Sequence, residues 1–76
     1  MRDKEKALRH TTLKELGARI RRSREEKRMS QGDIAKATGI DTACLSRLEN
    51  GKHNPTATTL AKIAEALDVP IRKFFE

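Results

Sequence analysis

The tightest constraint on this chain lies between Ser30 and Gly51, where two short segments of helical apolar spacing flank Gly39. Ser30 offers a hydroxyl to the orphan amides of a helix start, and Asp33 is placed to reach back to it as a capping box. Met29, just before the cap, and Ile34, four residues into the helix, are spaced for a hydrophobic staple. Gly39 enters the left-handed region without a side-chain penalty and stops the first segment. Asp41 can cap the second, which ends at Asn50-Gly51 by the same glycine logic. The reading is two helices over about 30–38 and 41–50. Ala35 is small where they must approach closely. Leu45 and Leu48 share the dry side of the second helix. Ala43, Ser46, Arg47 and Asn50 point the other way, with Thr42, Cys44 and Glu49 on the flanks.

The remaining chain supplies partners for this pair. Residues 1–11 alternate charges and read as an arm. A first helix over about 12–28 carries the stripe Leu13, Leu16, Ile20. Its opposite face, with Arg19, Arg21, Arg22 and Lys27, reads as a solvated surface that attracts polyanions without choosing a sequence. Asn54-Pro55-Thr56 breaks the chain. Leu60, Ile63, Ala64 and Leu67 then form the stripe of a fourth helix. Pro70 opens a short fifth helix, Ile71 to Phe75, with Phe74 turned inward beneath the fourth. No stretch alternates long enough to form a strand. The expected fold is all-α: an arm over 1–11 and one compact five-helix domain over 12–76.

Charge and composition narrow the partners. The 76 residues make one domain, with 17 Lys+Arg against 11 Asp+Glu, a net charge of +6 and a pI near 10.0. An excess of this kind favours polyanions. Phe74 and Phe75 are the only aromatic residues, so the stacking platform of a single-strand or RNA binder is missing and duplex DNA is the better fit. The single cysteine, Cys44, precludes an internal disulfide and suits a reducing cytosol; on its helix flank it reads as a partly buried filler. Met1 to His10 is charged rather than signal-like and no run approaches a membrane span, so a cytoplasmic protein is expected. His10, His53 and Cys44 lack metal-ligand spacing, and no nucleophile–base pair, carboxylate pair or phosphate-binding glycine loop is present. Neither a cofactor nor an enzymatic activity is expected.

Ser30-Gln31, Ala35, Gly39-Ile40, the run from Leu45 to Lys52 through Leu48-Glu49-Asn50-Gly51, and Asn54-Pro55 together resemble the lambda repressor-like (Cro-type) helix-turn-helix family. Its members include phage repressors and restriction–modification controllers. The resemblance covers residues 13–75. It implies a five-helix domain that binds operator DNA, usually as a two-fold dimer. It also implies that Gln31 contacts a phosphate and that Thr42, Ala43, Ser46 and Arg47 face base edges. Asn50, Lys52, His53 and Asn54 then grip the backbone, and Arg24 pairs with Glu49. Two positions depart from the pattern. Ser23 stands where an apolar residue is usual, which predicts looser packing. Ala43 can offer only van der Waals contact, for example to a thymine methyl.

Two functions follow as expectations. The first is a sequence-specific double-stranded-DNA-binding transcriptional regulator, of repressor or controller kind, on a two-fold operator. In it Arg47 reads guanine or grips phosphate. The second is a protein-interaction module such as an antitoxin or adaptor, which needs an apolar patch beyond the core. Only Ile71 and Phe75 are candidates for such a patch, and they read as a weak homodimer interface.

Overall fold

The computed structural model describes residues 11–76, so most of the expected arm over 1–11, His10 included, lies outside the described residues. Helix α1 spans Leu13–Glu26, α2 Gln31–Thr38, α3 Thr42–Glu49 and α4 Ala57–Leu67. Among the described residues the architecture is all-helical. It differs from the expected five α-helices at the C-terminus, where Ile71–Phe75 forms a 3-10 helix. Five residues after a proline suit the tighter turn, which is used in short pieces.

The starts follow local chemistry. Thr12 and Glu15 form a capping box at α1, with the Thr12 amide donating to the Glu15 carboxylate at 3.0 Å. Ser30 and Asp33 form another at α2, the Ser30 amide donating at 2.8 Å. These backbone bonds, which favour the ionised form, hold both carboxyls below their ordinary values. Asp41 caps α3 and Thr56 caps α4.

Helix α1 ends before the expected position 28. Arg28 adopts φ 56°, and the Arg28 and Met29 amides fold back to the Glu25 and Arg24 carbonyls at 2.9 and 3.1 Å. This is a Schellman closure with arginine where glycine is usual. Asp68, also at φ 56°, closes α4 the same way onto Glu65 and Ala64. The expected glycine stops do hold, with φ 79° at Gly39 and 74° at Gly51.

Leu16 and Ile20 of α1, Ile34 of α2, Leu45 and Leu48 of α3, and Leu60, Ile63 and Leu67 of α4 close one core with Phe74, which is fully buried as expected. Met29 and Ala35 pack against it. Leu13 departs from the expected stripe and stays 37% exposed, because it is the first residue of α1. Ser23 is buried. An open surface cleft of about 140 Å³, lined mainly by charged side chains, borders it between α1 and the 3-10 helix.

Helix α1 packs on α3 and the 3-10 helix, while α2 packs on α3 and α4. The closest approach is at Gly17. A Cβ there would run into the Leu48 carbonyl oxygen and lie 2.7 and 2.8 Å from the Glu49 carbonyl oxygen and carbon. These are backbone atoms that cannot rotate away. Alanine gains about 1 kcal/mol over glycine in a helix interior, whereas forced overpacking costs typically about 1–3 kcal/mol and sometimes more. Because the obstructing atoms are backbone, the cost falls at the upper end, and Gly17→Ala is therefore expected to destabilise the fold by about 2 kcal/mol net, lowering the thermal midpoint by roughly 10 °C. A melt equal to or above wild type would show that α1 and α3 can separate at no cost.

Candidate nucleic-acid interface

The chemistry of α3 is organised by its last residue. Glu49 lies at the α1–α3 contact with a side chain only 4% exposed. Arg24 meets it with two parallel donors, Nε to Oε2 at 2.7 Å and Nη2 to Oε1 at 3.0 Å. The remaining guanidinium nitrogen, Nη1, donates to the Met29 carbonyl at 2.8 Å. Pairing with Glu49 pushes Arg24 above its already high ordinary pKa, so the cation persists at every working pH. The expected Arg24–Glu49 pair is thus present, and more deeply buried than a flank position suggested.

Gln31, at the first position of α2, donates from Nε2 to Glu49 Oε1 at 3.1 Å. An ionised carboxylate only accepts, so the amide nitrogen must face it and the amide oxygen points elsewhere. One of the two Nε2 hydrogens remains for another acceptor. Glu49 therefore ties together α1, the start of α2 and the end of α3.

With that side fixed, the other side of α3 is open. Thr42, Ala43 and Arg47 are exposed and Ser46 is half-buried. Asn50 is exposed, and its Nδ2 donates to the Ser46 carbonyl at 2.8 Å, which fixes the side chain against the helix end. Past it, Gly51 and Lys52 donate to the Leu48 and Arg47 carbonyls at 3.1 and 2.8 Å, a third Schellman closure. That closure aims the following loop, in which Lys52 and Asn54 are exposed and His53 is half-buried. The residues expected to face bases and phosphates thus lie on α3, on the first turn of α2 and on the loop after α3. Cys44 is half-buried.

Two positioning residues escaped the sequence reading. Gly17 permits the α1–α3 approach, and its signal was a glycine inside a helical stripe. Gly51 is not only a helix stop but also lies against α1: a Cβ on it would sit 2.7 Å from the Lys14 Cα.

A short helix buried on one side and open on the other, set at a glycine turn against a second short helix, defines the helix-turn-helix class. Residues 20–74 match the helix-turn-helix family, and the chain belongs to it. It is 40% identical over 58 residues to the ImmF control region 10 kDa protein of Bacillus phage phi105, an alignment covering 76% of this chain and 64% of that protein. It is 37% identical over 59 residues to the HTH-type transcriptional repressor RghR of Bacillus subtilis, covering 76% of this chain and 44% of that one. The chain thus spans less than two thirds of either relative. In three dimensions it is similar to the restriction-modification controller protein C.AhdI from Aeromonas hydrophila, with TM-score 0.79 and 32% identity over 82% of this chain and 94% of that one.

Removing one partner from a buried pair strands the other charge, at about 3–5 kcal/mol, whereas losing an exposed pair costs at most about 1 kcal/mol. Glu49→Ala is expected to fall in the first range and Glu49→Gln close to it, since neither supplies a charge to Arg24. Chemical denaturation of both variants checks this, and unaltered midpoints would remove the pair from the account of stability.

Proposed function

We propose that this protein is a sequence-specific, double-stranded-DNA-binding transcriptional regulator of the repressor or controller kind, acting in the cytoplasm as a weak homodimer on a two-fold operator. The observation that carries this reading is the open face of α3, where Ala43, Arg47 and Asn50 align on the side opposite Leu45 and Leu48. A helix supported in this way fits the major groove with its polar face inward. The net charge of +6 supports a polyanionic partner. So do relatives named as a repressor and a restriction-modification controller.

In this reading Thr42, Ala43, Ser46 and Arg47 meet base edges. Gln31, Asn50, Lys52, His53 and Asn54 hold the backbone. Glu49 orients the free Gln31 N–H toward a phosphate. The protein is a binder and not an enzyme, and among the described residues no helix is long and apolar enough to cross a membrane. One reading helix covers too few base pairs to pick out a genomic site. A two-fold pair, with half-sites about 34–36 Å apart, doubles the sequence read. Ile71 and Phe75, 39% and 40% exposed on the 3-10 helix, are the exposed apolar side chains an isologous contact there would use.

Selection from a random duplex pool tests the whole reading: a two-fold consensus supports it, and no consensus favours the protein-interaction module. Within it, Arg47→Ala is expected to relax preference at one base pair per half-site, at about 1–3 kcal/mol. Lys52→Ala should weaken all sequences alike and make the salt dependence shallower by about one unit. Titrations of matched and mismatched duplexes across a salt series separate the two. Equal weakening of both duplexes by Arg47→Ala would assign Arg47 to phosphate.

For assembly, Phe75→Glu places like charges across the axis without touching α3. It is expected to abolish cooperative binding to the full operator and spare a half-site. Retained cooperativity would move the dimer to another surface.

A further inference from the structure

The basic face of α1, one solvated surface by its sequence, borders two grooves in the fold, and Arg22 lies on the ridge between them, lining both. Arg19 turns toward the C-terminal 3-10 helix, its Nη1 donating to the Phe74 carbonyl at 3.5 Å. On the other side a groove of about 350 Å³ opens between α1 and the end of α3, lined by Lys14, Ala18, Arg21, Arg22, Glu25, Glu49 and Asn50. Its two carboxylates are already engaged. Glu49 is held by Arg24 and Gln31, and Glu25 by Arg21 at 3.3 Å. Among the described residues, Lys14 and Arg22 have no carboxylate at ion-pair distance. The groove therefore presents two uncommitted cations, beside a third whose exposed pair is weak and open to exchange.

Asn50 is common to this groove and to the open face of α3, standing at i+7 from Ala43 and i+3 from Arg47. The groove thus begins where the reading face ends. Lys14 is fixed there by its backbone, since Gly51 has room for no side chain against it. We propose that this groove is a second seat for the DNA backbone, in which Lys14 and Arg22 neutralise phosphates next to those held by Asn50 and carry the footprint beyond the base pairs that α3 reads. The inference rests on the proposed function and deepens it. The ligand is a phosphodiester backbone, recognised by charge alone, so the groove adds affinity and salt dependence without sequence preference.

The test uses the full chain and duplexes built on the selected site. One is a half-site trimmed to the base pairs that are read, and another is the same half-site extended at each end by about 5 base pairs, half a helical turn. A scrambled duplex of the longer length completes the set. For the wild type, the slope of log Kd against log salt is expected to be steeper on the extended half-site by about 1–2, at roughly 0.9 per phosphate. The double variant Lys14→Gln/Arg22→Gln should lose that step and keep its preference for matched over scrambled sequence. Lys14→Arg with Arg22→Lys should restore it. Lys62→Gln, on α4 and beside the separate α2–α4 cleft, lowers net charge without touching the groove and should leave the step in place. A double variant that keeps the step overturns the inference alone, as does its equal loss in Lys62→Gln. Equal binding of matched and scrambled duplexes by the wild type overturns the proposed function and this inference with it.

Discussion

A single buried carboxylate sets the geometry of this fold. Glu49 accepts three hydrogen bonds, from two nitrogens of Arg24 and one of Gln31. Such a group is costly to bury unless its acceptors are filled. Filling them requires α1, the start of α2 and the end of α3 to meet in one arrangement. An apolar contact at the same place would tolerate sliding, whereas a bidentate guanidinium–carboxylate pair fixes angle as well as distance. Helix α3 is thereby held at its C-terminal end by a directional interaction and along its length by Leu45 and Leu48, which bury without direction.

That division of labour matters because α2 and α3 are eight residues each, well below the length at which isolated helices persist in water. Their order is borrowed from their packing. Helix α4 and Phe74 supply apolar area, and Gly17 lets the α1 backbone approach the α3 carbonyls closely enough for Arg24 to reach Glu49. Losing the approach would lengthen the pair. Losing the pair would leave the approach without a reason, since glycine in a helix interior is otherwise a cost of about 1 kcal/mol.

Much of this was legible in the sequence, because it is local. Ser30, Asp33 and Asp41 mark helix starts by hydrogen bonds that span two or three residues, and Gly39 and Gly51 mark stops by backbone freedom. The Arg24–Glu49 pair was legible only through family resemblance. Arg28 and Asp68 stop their helices in a conformation that costs a non-glycine residue about 1–2 kcal/mol, a price set by tertiary packing and invisible in local propensity. The 3-10 form of Ile71–Phe75 and the exposure of Leu13 depend on where the ends of the chain find neighbours. The placing of Arg19 and Arg21 in different grooves, with Arg22 bordering both, has the same origin, since periodicity gives a helix face but not what packs beside it.

The composition of the open α3 face bears on how such a domain would share its work on DNA. Thr42, Ala43 and Ser46 are short, and only Arg47 is long and charged. Short side chains read base edges only if the helix backbone comes close to the groove floor, and in the proposed docking Ala43 would add little bulk against that approach. In the proposed docking, close approach would bring the flanking elements against the phosphates: the first turn of α2, the loop after α3, and the α1 edge that carries Lys14 and Arg22. If Arg47 reads a base as proposed, a face with a single strong base donor would gain modest discrimination from direct contact, and most of the affinity would come from the backbone. Specificity then depends on how rigidly those backbone contacts hold α3 in register. The same Glu49 junction that joins α1, α2 and α3 joins the elements that would carry those contacts, so the rigidity of the fold and the register of the reading helix have one physical source.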